Sequence, residues 1–350
     1  MQVVSIQYLR GIAALMVVVF HLQPQLERMR IDFLPPNWLA AGVDLFFVIS
    51  GFIMWWTTWD SPTTPGRFML KRIHRIVPLY WAITSFYVLV LLVAPRFMQS
   101  GAFEPAHAVA SYLFFPWPHP VIDANHPLVT PGWTLNYEMF FYLVFAVGLF
   151  LPGRRARLVA VTGLLVSLVV AGLVFAPENA ALKVYTSTML LEFLFGMGIA
   201  VLATRGALLP PAAALACLAV GAAAWVASDG FTSQATRFFW WGLPATLIIY
   251  GAVSWEQRRA LPALPWLLLC GNASYSIYIS HQLSLSAAGQ VWRRTLDLPP
   301  LATTIGFALF GLGVAVTVGL LCYFFVERPL GRLTGRLLPG RGGTPIRAGA

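Results

Sequence analysis

Apolar residues in this chain come in long unbroken runs, not in the alternation of a half-buried sheet. Windows of about 18–25 nearly uncharged residues recur from end to end, long enough for a helix rising ~1.5 Å per residue to cross the ~30 Å hydrocarbon layer of a bilayer. They predict ten helices, at 5–23, 39–57, 76–95, 131–151, 157–176, 184–203, 207–228, 236–255, 266–290 and 301–326. Pro210 and Pro211 open the seventh, where a missing backbone N–H is tolerated. Only 151–156 separates the fourth from the fifth, which makes those two an antiparallel pair. The expected fold is an all-α integral membrane bundle of about ten transmembrane helices. One membrane domain occupies 1–328, and a basic cytoplasmic tail follows over 329–350.

Composition agrees. Hydrophobic residues make up 58% of the 350 and charged residues 10%, a balance that would give a water-soluble domain a mostly apolar surface. The net charge of +10 raises the question of a nucleic-acid partner, and its distribution answers it. With the N-terminus in the cytoplasm, sixteen of the 23 lysines and arginines fall on the inner side, as the positive-inside rule requires. An even number of spans returns the C-terminus to the cytoplasm, where the tail meets anionic headgroups. The expected setting is the cytoplasmic (inner) membrane of a bacterium, with the lipid bilayer and not nucleic acid as partner. Cys217, Cys270 and Cys322 all fall inside predicted spans and read as core residues. No CxxC, HExxH or Walker-type glycine loop occurs, and no metal is expected.

Chemistry enters with the polar residues inside the spans. Arg10 and His21 bracket a wholly apolar stretch of the first one. Eleven helical steps of about 100° bring their side chains within roughly 20° of one face, about 16 Å apart along the axis. Charged and titratable groups on one stripe of a membrane helix need a partner or a water-filled path. At ~1.5 Å per residue, Asp44 lies about 7 Å and Glu138 roughly 10 Å below the outer face, in one layer with His21 and His281. On the inner side Lys71, Arg72, His74 and Arg75 precede the third span, and Glu327 adjoins Arg328 after the tenth. Glu327 is expected to pair with Arg75 or Arg72, and Glu192, mid-span, with an arginine such as Arg10. Tyr275 and Tyr278 share a helix face. The outer stretch from Pro116 to Pro120, followed by His126, makes a stiff lid. Short basic loops also serve only to anchor topology, and buried carboxylates also pair for structural reasons, so both readings stay open residue by residue.

Together these residues suggest a continuous passage for a long phosphorylated donor whose reactive end must reach the far side. Arginine presents a planar fork suited to phosphate. A neutral histidine can take the proton of a sugar hydroxyl or carry an acyl group itself. Asp44 or Glu138 would orient the imidazole, and Arg10 would contact the donor or hold a carboxylate. A transporter of a glycan, lipid-linked sugar or proton-coupled solute is the competing reading, since proton relays also use such groups. A glycan-binding scaffold is a third.

The motifs themselves resemble the integral-membrane acyltransferase-3 family, which O-acetylates cell-surface carbohydrates. The resemblance runs over nearly the whole chain. It comprises Arg10-x10-His21 preceded by Tyr8-Leu9, the stretch from Gly42 to Phe52, the basic run ending Arg75-Ile76-Val77-Pro78, and Trp133-Thr134-Leu135-Asn136-Tyr137-Glu138. Glu192 to Gly196, Ser274 to His281, and Glu327-Arg328-Pro329 complete the series. Lys71 and His74 stand where the family commonly has arginines. The exopolysaccharide-modifying members look most similar. The resemblance implies an acyl-CoA donor, usually acetyl-CoA, and a carbohydrate hydroxyl as acceptor, with polysaccharide synthesis machinery as a further partner. It also implies an essential His21 and Arg10. Read with the residues themselves, this gives a catalytic group of His21, Arg10, Asp44 and Glu138, and a donor-binding group of Lys71, Arg72, Arg75 and Arg10. His281, Tyr275, Trp133, Glu192 and Glu327 fall on the acceptor side or in structural roles.

Overall fold

The computed structural model describes residues 3–59, 63–94, 102–230, 233–296 and 298–335. Among these residues the regular structure is helical throughout. The elements in chain order are α1 (Val4–Phe20), α2 (Gln23–Arg28), α3 (Gly42–Trp59), α4 (Pro65–Val93), α5 (Pro105–Tyr112), α6 (Trp133–Gly148), α7 (Arg154–Phe175) and α8 (Ala180–Tyr185). They continue with α9 (Leu190–Thr204), α10 (Pro211–Ala227), α11 (Leu243–Glu256), α12 (Pro265–Asn272), α13 (Ser274–Thr295), α14 (Pro300–Cys322) and α15 (Arg328–Gly335). The tail beyond 335 lies outside the described residues.

Seven helical runs are long and apolar enough to cross a membrane: Val4–Arg28, Asn37–Trp59, Pro65–Val93, Arg154–Phe175, Ala180–Thr204, Phe238–Glu256 and Pro300–Leu333. The fourth, seventh and ninth predicted spans are helical too, but differ from that pattern for physical reasons. α6 has only 16 residues and α10 only 17. The ninth is split at Ala273 into α12 and α13, and α13 turns Ser274, Ser276, Ser280, His281 and Ser284 into the protein interior.

The third element also departs from expectation. α4 starts at Pro65, eleven residues before the predicted span. Thr64 caps it by accepting from the Arg67 N–H at 3.3 Å, and Pro65 supplies a preset first turn. Lys71 to Arg75 therefore sit on a helix and not in a loop, and helical spacing decides which of them face the bundle. Arg72, half-buried, and Ile76, buried, turn inward; Arg75 is exposed but borders the first cavity, and Lys71 is exposed and does not.

Close helix approach sets the frame around the site. Gly51 of α3 lies against the backbone of Phe193, and Gly196 of α9 against the backbone of Val48. A Cβ at either position would overlap main-chain atoms, so the pair of glycines lets α3 and α9 touch along their length. Gly271 does the same for α12 against Gln7 of α1. α7, by contrast, buries only Val161, Leu165 and Val169, one stripe at a spacing of four. Val159, Val170, Leu173 and Phe175 face outward, as on a helix bathed by lipid.

Candidate active site: two cavities meeting at Tyr278

The first cavity, narrow, with a volume of about 80 Å³, lies toward the end of the bundle where α4 begins. α1 contributes Arg10, α3 Ser50, α4 Arg72 and Arg75, α6 Glu138 and Tyr142, and α13 Ser274, Tyr275 and Tyr278. Arg10 is only 7% exposed, yet its one side-chain hydrogen bond is to Gln7 Oε1 at 3.3 Å. Arg72 rests its guanidinium against the rings of Phe68 and Tyr142, 5.7 and 5.9 Å from their centroids, and its buried Nε has no partner. Neither makes an ion pair among the described residues. Glu138 acts on both through space, but its Oε1 already accepts from Ser50 Oγ at 3.0 Å and from the Tyr142 hydroxyl. Guanidinium groups taken out of water without a counter-ion are expensive. The cavity is thus built to receive negative charge.

The second cavity, about 310 Å³, opens at the other end of α1 and is bordered by His21, His126, Trp133, Arg237, Trp241, His281 and Gln282. His21 closes α1, and its Nδ1 lies 2.8 Å from the Val17 carbonyl one turn back. A carbonyl can only accept, so Nδ1 carries the hydrogen and Nε2 keeps its lone pair. His281 repeats the pattern with the carbonyl of Tyr278 at 2.5 Å, leaving a buried Nε2 with no partner. The two imidazoles meet edge to face, centroids 4.8 Å apart. His126 stacks on Trp133, 6.1 Å between centroids and 25° between planes.

The two cavities share only Val43 and Tyr278 among their lining residues. The continuous passage expected from the sequence is therefore two chambers with a thin wall between them. Tyr278 is held there by Thr134 Oγ1, which donates to its hydroxyl at 3.2 Å, and by edge contact with Phe46.

Several expected placements are corrected. Asp44, fully buried, borders neither cavity and does not orient His21. Arg237 grips it with one edge of the guanidinium, Nε to Oδ1 at 3.0 Å and Nη2 to Oδ2 at 2.8 Å, while Nη2 also donates to Ala40 O at 3.1 Å. Glu138 lines the arginine cavity and not the histidine cavity, with its Oε1 engaged by Ser50 and Tyr142. Glu192 is fully buried and lies against Asp44 and Arg237, and not against Arg10. Glu327 forms no ion pair with Arg72 or Arg75 among the described residues. It accepts from Ser276 Oγ at 2.5 Å and interacts with Arg75 and Arg10 only through space. Lys71 lines neither cavity. Tyr275 donates to the Ile76 carbonyl at 2.8 Å and so ties α13 to α4 beside Arg75.

Sequence reasoning passed over Arg237, His126, Tyr142 and Ser50. Arg237 counted only as an outer-side charge, although the aromatic run Phe238 to Trp241 after it marks a span mouth. It sits at the start of a π-helical turn, Phe238–Gly242, a distortion common at functional sites. Its Cζ lies 4.5 Å from the Trp241 ring centroid. Among the described residues no three His, Cys, Asp or Glu side chains gather as a metal site.

A helical bundle with an arginine-lined chamber on one side of a tyrosine and a histidine-lined chamber on the other has the layout of a group-transfer protein. Residues 3–324 match the acyltransferase domain of the acyltransferase-3 family, and the chain belongs to that family. It is 38% identical over 301 residues to the exopolysaccharide production protein ExoZ of Rhizobium meliloti (strain 1021), covering 83% of this chain and 89% of that one. It is 26% identical over 329 residues to the acyltransferase MdmB of Streptomyces mycarofaciens, covering 86% and 83%. A third relative, "Putative peptidoglycan O-acetyltransferase YrhL" of Bacillus subtilis (strain 168), is 28% identical over 221 residues, 55% of this chain and 32% of that one. No solved structure matches the chain.

Proposed function

We propose that this protein is a multi-pass O-acetyltransferase of the bacterial cytoplasmic membrane, with ten crossings and both termini in the cytoplasm. Acetyl-CoA enters the arginine cavity from the cytoplasm. The acetyl group passes to a hydroxyl of a carbohydrate presented in the histidine cavity, an exopolysaccharide or similar surface glycan, or its lipid-linked precursor. Two of the relatives carry names that point the same way, one to exopolysaccharide production and one to O-acetyl transfer.

One observation carries the reading. His21 holds an unprotonated Nε2 at one chamber, while the next chamber, behind Tyr278, collects arginines that lack counter-ions. Arg10, Arg72 and Arg75 hold the donor's phosphates and pantetheine by charge-assisted hydrogen bonds. The acceptor oxygen attacks the thioester carbonyl, and His21 Nε2 takes its proton. The C–S bond then breaks and the thiolate leaves, to be protonated on release. If His21 itself attacks, the acetyl group rests on Nε2 before the sugar hydroxyl displaces it. Glu138 offsets part of the arginine charge while the cavity is empty. Trp133, backed by His126, offers a flat face to the sugar ring. The Asp44–Arg237 pair holds Trp241 and the cavity wall in place.

The test is transfer from radiolabelled acetyl-CoA to candidate polysaccharides by the purified protein in lipid nanodiscs. His21→Ala should insert and accumulate normally, yet lose at least about 10²-fold in rate, the usual contribution of a positioned base. Undiminished ester formation by this variant would remove His21 from the chemistry. Acid quench of a single turnover, followed by a search for acetyl-histidine, divides the two routes.

A further inference from the structure

The phenol of Tyr278 stands where the two cavities adjoin. Tyr278 and Val43 are the lining residues they share, and Val43 has no polar side-chain atom. The polar contacts of the phenol span the same boundary. Its partner Thr134 borders the arginine cavity, and Pro131, whose carbonyl Thr134 also reaches, borders the histidine cavity. Through space the phenol feels Glu138, which lines the first cavity, and Arg237, which lines the second. Its ring centroid lies 5.8 Å from that of His281, which in turn lies 4.8 Å from that of His21.

The wall itself needs only the ring. Tyr278 packs on Phe46 with 5.6 Å between centroids, a contact that phenylalanine would make as well. The hydroxyl calls for a different account. A hydroxyl has one hydrogen to donate, and Thr134 Oγ1 has two acceptors in reach, Pro131 O at 3.1 Å and the Tyr278 oxygen at 3.2 Å. When Thr134 donates to Tyr278, the phenol hydrogen has no acceptor among the described residues. When Thr134 turns to Pro131 O, the phenol can donate to Thr134 instead. The pair thus has one arrangement that is satisfied within the protein and one that offers a donor to a ligand.

Addition to a thioester places negative charge on a single atom, the carbonyl oxygen. Under the acetyl transfer proposed above, on which this inference rests, the donor occupies the arginine cavity and His21 Nε2 faces the other. The reacting carbonyl must therefore come to the boundary between them, beside the one polar side chain that lines both.

We infer that the Tyr278 hydroxyl is the oxyanion donor of the transfer, a catalytic residue as well as a partition. As the nucleophile adds to the carbonyl carbon, the C=O π pair moves onto oxygen, and Tyr278 donates a hydrogen bond to it while keeping its proton. The Thr134 hydrogen turns from Pro131 O to the phenol oxygen, which strengthens the donor by polarising it. The pair then returns to re-form C=O, the C–S bond breaks and the thiolate leaves. The same donor serves whether the sugar hydroxyl or His21 Nε2 attacks, since both additions charge the same oxygen.

Tyr278→Phe tests this in the full-length protein in lipid nanodiscs, with radiolabelled acetyl-CoA and polysaccharide. It keeps the ring and removes the hydroxyl. The kcat should fall about 10²–10³-fold, the usual result of losing one oxyanion donor. The KM for acetyl-CoA should move by less than about twofold, and CoA release without acceptor should stay at the wild-type level. A kcat within about threefold of wild type would overturn the inference. A fall accompanied by faster acceptor-free release would do so too, because the hydroxyl would then only brace the wall. Tyr250→Phe, which removes a hydroxyl bonded to Ala207 O outside both cavities, should leave kcat unchanged; an equal fall there would assign the loss to general damage. Replacement of Tyr278 by 3-fluorotyrosine covers the case in which Tyr278→Phe does not accumulate. It retains ring and hydroxyl but donates more strongly, so single turnover at neutral pH should be faster than wild type, and an equal or slower rate counts against the donor role. Wild-type protein that transfers no acetyl group would end the proposed activity as a whole, whereas active wild type with an unimpaired Tyr278→Phe would end the oxyanion role alone.

Discussion

Asp44 and Arg237, 193 residues apart in sequence, form a two-pronged ion pair sealed inside the bundle, 2.8 Å from Nη2 to Oδ2. The carboxylate stands in the first turn of α3 and the arginine at the π-helical turn before α11, so the pair locks two elements that frame the histidine chamber. Removing one partner strands the other charge. Asp44→Asn should therefore lower stability by about 3–5 kcal/mol, the usual result of breaking a buried pair on one side. Asp44→Asn/Arg237→Gln should recover much of the loss. Thermal unfolding in detergent measures both. A stable Asp44→Asn protein without activity would instead give Asp44 a direct part in the chemistry.

The arginine chamber predicts a split within the basic run of α4. Arg10→Ala and Arg72→Ala should each raise the KM for acetyl-CoA by about 10–100-fold, as lost charge-assisted contacts do. Lys71→Ala, which alters a side chain lining neither chamber, should change it by less than about twofold on the same reasoning. Steady-state kinetics with the purified protein checks both, and a large effect at Lys71 would contradict the geometry.

Tyr278 separates the chambers, and its removal should let water reach the thioester. Tyr278→Ala is expected to release CoA in the absence of any acceptor while transfer to sugar falls. Thiol release measured with and without polysaccharide gives the ratio. A tight ratio in the variant would mean that the ring does not keep the chambers apart.

The segment between α5 and α6 carries a pH dependence of its own. His119 Nδ1 accepts from the N–H groups of Val121 and Ile122, each at 3.1 Å, and its ring abuts that of His107 at 5.0 Å. Burial, then the neighbouring His107 and His126, push its pKa down to about 4. A histidine depressed in the folded state favours the folded segment fully above the ordinary value near 6.5, and that contribution declines as pH falls toward about 4. Hydrogen-exchange protection over residues 113–129, corrected for the intrinsic rate at each pH, should fall across that window. His119→Asn, which retains an acceptor but cannot titrate, should flatten the response.

The sequence made some of this architecture legible and hid the rest. Long apolar runs announce helices because a bilayer leaves backbone groups few other solutions. Arg10 and His21 could be placed on one stripe because helical spacing is fixed, and the structure puts them at the two chambers some way apart along α1. Side-chain contacts and long-range pairing did not follow. Glu138 lines the arginine chamber and not the layer of His21 and His281, because counting residues from a span end does not say which side chains a group will meet. Arg237 gave no sign of Asp44, because nothing in either neighbourhood specifies a partner so distant in the chain. The inward turn of Arg72 and the exposure of Lys71 followed only once α4 was seen to begin at Thr64 and Pro65, a cap that hydrophobicity does not register. The single tyrosine wall could not be foreseen from spacing at all.

That wall has a bearing on the cell. The two chambers, lined from opposite ends of α1, meet only at Val43 and Tyr278 among the described lining residues. Under the proposed chemistry only a two-carbon fragment changes sides. The bulky nucleotide carrier and the glycan each remain where they were made or delivered, and modification of the exterior proceeds without export of a coenzyme.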